Sequence, residues 1–350
     1  MRVRPVTTSS VDPVDAHTGT DTNTDTDTSP GARTGPGTGT GPSTAAGPGP
    51  GTETPCSGTE LIVVGGGPAG VSGALMAAGL GLRVTLVEAR ERIGGRPWEI
   101  GAMENVPGGW RDGPAFARAL ADDIARLEAA GRCTLVRDRA VRVAAYEDHA
   151  EVSLAHGAPL TGTAVLVATG VVPLEAGDAD WIEARGTVRP PPLWCAGPDV
   201  GHALVLGGDR PLGTWLRTHP EAGARLEVLH PRADAYKVAE VAADPRVHLY
   251  EVERATVQHT DDQRFEVTAH GTDGGVRTFG APSVLANLGM RPSPPAGDLV
   301  RGPEGYCPLA SQSFRLLTAG DLRSARHQRI TPAQGSGAEA ALTYYYAAHG

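Results

Sequence analysis

Residues 61–70 read LIVVGGGPAG, an apolar run of β-formers entering a glycine turn with Gly65, Gly67 and Gly70 at G-x-G-x-x-G spacing. No other stretch limits the fold so tightly. In such a turn the first glycine makes the bend, the second lets backbone approach a pyrophosphate, and the third lets helix and strand pack closely. Pro68, followed by Ala69, stands at a first helical position, where a missing N–H costs nothing. A second apolar run, with Leu82, Val84, Leu86 and Val87, ends at Glu88. That acid lies about 20 residues beyond the turn, where a carboxylate takes the hydroxyls of an adenosine ribose. Strand, turn, helix, strand and acid in this order predict a dinucleotide-binding βαβ unit.

The chain has 350 residues, enough for two domains with sizeable cores. Residues 1–58 are Thr, Gly, Pro and Asp with almost no large apolar side chains, so the expectation there is a disordered tail. The tail lacks the apolar core of a secretory signal, and no run of 18 or more apolar residues occurs, which argues against export and against a membrane partner. A net charge of -9 without a basic cluster argues against nucleic acid. Cys56, Cys133, Cys195 and Cys307 are scattered without pairing or metal-like spacing. They suggest a reducing cytoplasm and no metal site. Lys237 is the only lysine.

Further along, Asp112-Gly113-Pro114 opens an amphipathic helix with Phe116, Leu120, Ile124 and Leu127 on one face, ended by Gly131. Strand-like runs follow at 141–145, 152–154 and 164–170. Residues 203–213 (ALVLGGDRPLG) repeat the passage from apolar strand into glycines. The expected fold class is therefore α/β, with two Rossmann-like three-layer domains, the second inserted into the first. The expected division is a first domain of 59–172 and 283–350 around an insertion of 173–282, with the first fold resuming at Val284–Gly289. A last strand, 314–317, delivers Thr318-Ala319-Gly320-Asp321. Thr331 reads as the N-cap of a final helix running to about Tyr346, with Pro332 in its first turn.

With these pieces in order, the chain resembles the low-molecular-weight thioredoxin reductase family of flavoproteins. The matching segments are GGGPAG, the Gly94-Gly95 pair after Glu88, Glu104-Asn105-Val106-Pro107-Gly108, Ala168-Thr169-Gly170 and Ala319-Gly320-Asp321. The resemblance implies FAD as cofactor. Gly65, Gly67, Gly70 and Glu88 would hold the adenosine and pyrophosphate, Asn105 would lie against the isoalloxazine and Asp321 would bind the ribityl chain, with Pro68, Ala69, Gly95, Thr169, Gly170 and Gly320 completing the cofactor set. The N-terminus of the last helix carries about half a positive charge and would stabilise an anionic reduced flavin. Gln328, Arg329 and Ile330 precede that helix where the family has Arg-Gln. Here the order is Gln-Arg, and the glycine spacing is one residue longer. The resemblance also implies a homodimer.

Two family features are altered. Where thioredoxin-reducing members carry C-x-x-C, this chain reads Pro192-Leu193-Trp194-Cys195. Disulfide exchange needs a second sulfur, which Pro192 cannot supply. Cys195 alone could act as a catalytic thiol, or be an inert remnant packed as a small hydrophobe. In the second turn, Gly207-Gly208-Asp209-Arg210-Pro211-Leu212, an aspartate replaces the glycine that admits a pyrophosphate. Two like charges at about 4 Å cost on the order of 4 kcal/mol at an effective dielectric near 20. Pro220 also shortens the helix expected there, while Arg210 and Arg232 keep NADPH as an alternative cofactor.

Three readings follow. The favoured one is an FAD-dependent oxidase or dehydrogenase of a small molecule, a thiol or natural-product intermediate, with oxygen as acceptor. In that reading His327, just before the last helix, is a candidate for proton transfer, against the alternative of a surface histidine. The second reading is an NADPH-dependent reductase of disulfide or quinone acceptors. The third is a non-catalytic flavin-binding partner protein.

Overall fold

The structure is a computed structural model that describes residues 58–186, 189–260 and 264–350. Of the expected tail of 1–58, residues 1–57 lie outside the described residues. The opening strand, Thr59–Val64, alternates its burial between two layers. Leu61 and Val63 pack toward one face of the sheet with Val84, Leu86, Ala164 and Leu166. Ile62 and Val64 face the other side with Val87, Val165 and Val167. Such near-continuous apolar strands are what a sheet covered on both faces demands.

That sheet has parallel neighbours Val84–Val87 and Leu160–Val167 on either side of the opening strand. Cys133–Val136 and Leu316–Thr318 extend it in parallel, and the hairpin Ala140–Ala145 with Ala150–Leu154 adds antiparallel strands. Helices Pro68–Gly79, Gly113–Ala129 and Ile330–His349 cover one face. Asp112 caps the second helix, its Oδ1 accepting the Ala115 N–H at 2.7 Å. This is the expected start.

The second sheet centres on the parallel strands His202–Leu206, Arg225–His230 and Val247–His259. Helix Pro211–Thr218 packs on it through Leu212, Trp215 and Leu216. Both expected nucleotide-type folds are present.

Three expectations are corrected. Ser283–Ala286 does not resume the first fold but pairs in parallel with Ala203–Leu206 of the second sheet. A short, wholly apolar strand fits either sheet, so its sequence does not decide. The chain crosses between sheets at Val171–Pro173 and Met290–Pro292, which pair antiparallel. The last helix starts at Ile330 and reaches His349, with Arg329 rather than Thr331 at the N-cap and no side-chain cap. Pro332 falls within the first turn, where the N–H groups are unpaired in any helix. Finally, the last strand is Leu316–Thr318, and Phe314 lies half exposed in a turn before it.

Candidate functional site

The first glycine turn is built by exclusion. Gly65 has φ +105°, and a Cβ there would lie 2.6 Å from the Ala168 carbonyl oxygen. A Cβ on Gly70 would lie 1.8 Å from the Gly65 oxygen, so only glycine lets the helix approach this closely. Above Gly67 nothing lies within 4 Å. Glu88, buried at the end of its strand, accepts the Gly66 N–H at 2.5 Å through Oε2 and the Arg90 N–H at 2.7 Å through Oε1. Gly95 closes over the turn, its notional Cβ 3.0 Å from the Gly67 Cα.

This turn opens into a cleft of about 1170 Å³. The expected cofactor residues all line it except Gly70, which packs beneath. Thr169 and Gly170 enter from the end of Leu160–Val167, and Asn105 from the loop after Trp98. Gly320 and Asp321 come from the turn after the last strand, and Gln328, Arg329 and Ile330 from the start of the last helix. Gly320 donates its N–H to Ser336 Oγ at 2.7 Å, which ties that turn to the helix. The Thr169 hydroxyl is buried without a hydrogen-bond partner. An orphaned hydroxyl beside a cradle that leaves room over Gly67 fits a polar ligand such as FAD.

Charge is concentrated deeper in. Burial raises the Asp321 carboxyl from 3.8 to about 6, against the opposing pull of Arg96 and Arg329. Arg96 lines the cleft and no sequence motif marks it, although it directly follows Gly94-Gly95. Burial lowers its pKa, with Glu99 opposing. Its guanidinium lies 4.7 Å from the Trp194 ring centroid, touches Met290 Sδ at 3.2 Å and reaches Glu99 at 3.9 Å. The 3-10 turn Arg96–Glu99 is thereby tied to the segment carrying Cys195.

The two candidate catalytic residues are placed differently. Cys195 is exposed and does not line the cleft, whereas its neighbour Trp194 does. Burial and Glu99 raise its pKa, so it is a thiol near neutrality. Cys133 and Cys307 are buried in the cores flanking the first sheet. His327 is turned to solvent in a left-handed conformation, φ +63°, outside the cleft lining. That candidate for proton transfer therefore stands outside the cleft, next in sequence to Gln328, which lines it. Among the described residues the imidazole that lines the cleft is His219, at the C-cap of helix Pro211–Thr218. Nothing in its local sequence marks it.

Two glycine turns on doubly wound sheets, the first opening on a cradle that would take FAD, resemble the arrangement of flavin-dependent pyridine nucleotide-disulphide oxidoreductases. The family model of that description, Pyridine nucleotide-disulphide oxidoreductase, matches residues 59–183. The chain is thioredoxin reductase-like. It is 28% identical over 307 residues to a thioredoxin reductase of Streptomyces clavuligerus, covering 81% of this chain and 92% of that one. It is 27% identical over 320 residues to an alkyl hydroperoxide reductase polypeptide of Pseudomonas putida, covering 82% of this chain and 57% of that one. Among solved structures, thioredoxin reductase from Lactococcus lactis shares the fold at a TM-score of 0.68, with 19% identity over 82% of this chain and 98% of that one. Among the described residues no helix is long and apolar enough to cross a membrane, and no cluster of His, Cys, Asp and Glu could hold a metal ion.

Proposed function

We propose that this oxidoreductase is an FAD-dependent oxidase or dehydrogenase of a small molecule, a thiol or a natural-product intermediate, with oxygen as acceptor. The observation that carries the reading is the continuous cleft running from the flavin cradle to Trp194 and His219, in a chain with Pro192 and Cys195 in place of a dithiol. Bound FAD would supply two-electron acceptance from substrate and delivery to oxygen. The residues of this chain do the rest. Asn105 and Asp321 would hold the cofactor side, Trp194 with the Arg96 guanidinium over its ring would form a wall for the substrate, and His219 lines the same cleft. The scattered cysteines support a reducing cytoplasm, and family resemblance supports a homodimer.

Anaerobic mixing of the yellow protein with NADPH, NADH and dithiols in parallel, followed by oxygen, tests the reading. Slow bleaching by pyridine nucleotides, with rapid bleaching by a small-molecule donor and recovery in oxygen, is expected. Rapid bleaching by NADPH would instead establish the reductase reading. Cys195→Ser is expected to leave the rate within about twofold of the parent, and a loss above about tenfold would bring the sulfur into the mechanism. Trp194→Ala, by contrast, removes the wall and is expected to raise KM more than it lowers kcat.

A further inference from the structure

The second glycine turn repeats the first in its frame and reverses it at its mouth. Gly207, φ +99°, is held as Gly65 is, with a notional Cβ 2.3 Å from the Asn287 oxygen. The Gly208 N–H points at Asp234 Oδ2, 3.4 Å away, as the Gly66 N–H points at Glu88. The third position, open above Gly67, carries the side chain of Asp209. Lys237 Nζ lies 3.3 Å from Asp209 and 2.9 Å from Asp234. Asn287, buried at the end of Ser283–Ala286, accepts the Asp209 N–H on its backbone oxygen at 3.1 Å and donates Nδ2 to the Asp209 oxygen at 2.7 Å.

We infer that Asp209, held in place by Lys237, which also bridges to Asp234, is an internal clamp that closes the second crevice to pyridine dinucleotides. In open α/β sheets a ligand lies outside the carboxyl ends of the strands where their order reverses. Here His202–Leu206 has Arg225–His230 on one side and Ser283–Ala286 on the other, so that reversal falls at residues 207–209. Asp209 stands where a pyrophosphate would be received, and Asp234, placed like the ribose-binding acid of the first turn, is occupied by Lys237 instead. One ammonium cannot neutralise both and still attract an anion. The Asp209 N–H, at the position of Gly67, already donates to the Asn287 oxygen at 3.1 Å. None of the three clamp residues lines the flavin cleft. Burial alone would lower the Lys237 pKa, but its hydrogen bond to Asp234 and the charge of Asp209 raise it, so the clamp stays ionised through neutral pH.

The test is calorimetric titration of the full-length, FAD-loaded protein with NADPH and with NADH, with no substrate present, so that its outcome is separate from any oxidase assay. The parent is expected to show no saturable binding up to about 1 mM. Asp209→Gly restores the glycine and leaves Lys237 to Asp234 alone, and binding at least about tenfold tighter is expected. Asp209→Asn, which keeps the side-chain size, should move the same way and serves if the glycine variant is poorly folded. Lys237→Met leaves two unpaired carboxylates and should bind no better than the parent. Saturable binding by the parent, an Asp209 pair that gains nothing while retaining its flavin and circular dichroism, or a gain in Lys237→Met would each overturn the inference.

Discussion

Gly70→Ala is expected to yield a colourless, destabilised protein. The added Cβ would sit 1.8 Å from the Gly65 oxygen, far inside van der Waals contact. Gly65 cannot retreat, because its N–H is bonded to the Val87 oxygen at 2.8 Å and the Ala168 carbonyl already fills the space beside its Cα. The helix must therefore move away from the strand, and the cradle opens. Overpacking of this kind costs about 1–3 kcal/mol, and more where backbone meets backbone. The same displacement separates the pyrophosphate contacts, so FAD affinity should fall by more than about a hundredfold, each 1.4 kcal/mol being tenfold. Flavin absorbance per polypeptide and the thermal midpoint are the measurements. Gly79→Ala is the control at the other end of the same helix. Nothing lies within 4 Å of its notional Cβ, so a gain of up to about 1 kcal/mol is expected from helix propensity. A Gly70→Ala protein that keeps its colour would remove the glycine turn from cofactor binding.

Asp321→Asn is expected to have opposite effects on the empty and the loaded protein. The folded-state carboxyl titrates at about 6, above its ordinary 3.8. Between these values the folded chain holds a proton that the unfolded chain has released, so stability of the FAD-free protein falls as pH rises from about 4 to 6 and then levels off. At neutral pH the ionised carboxyl thus costs on the order of 3 kcal/mol. Asparagine removes that cost. The FAD-free variant should melt higher than the parent at pH 7, and the decline between pH 4 and 6 should flatten. Retention of FAD should weaken, because the ribityl contact proposed for Asp321 would lose its charged acceptor. Melting curves across pH, with and without FAD, measure both signs. A variant whose pH profile matches the parent would show that Asp321 is not the strained group.

The first cradle is legible in the sequence because each of its requirements falls on a distinct residue type at fixed spacing. Gly65, Gly67, Gly70 and Glu88 are constrained by backbone approach and by one carboxylate, and nothing distant in the chain has to be known. The second turn is readable as damaged for the same reason, since Asp209 breaks a pattern. What the sequence could not carry is decided by partners far along the chain. Lys237 and Asp234 meet Asp209 only once two strands are in register. Arg96 gains its meaning from Trp194 and Met290. Ser283–Ala286 could have joined either sheet, and His327 and His219 cannot be ranked until one faces solvent and the other a cleft.

The final helix crosses the first where a Cβ on Gly337 would lie 1.9 Å from the Ala69 oxygen, and where Gly73 lies against Gly337 in turn. Backbone there touches backbone, and the two partners stand at opposite ends of the folded sequence. During synthesis the opening strand, turn and helix emerge early, yet they lack their closest neighbour until Ile330–His349 has left the ribosome. Coenzyme capture therefore waits on a helix far along the chain, because the half-built cradle becomes a receptacle only when Ile330–His349 has docked against it.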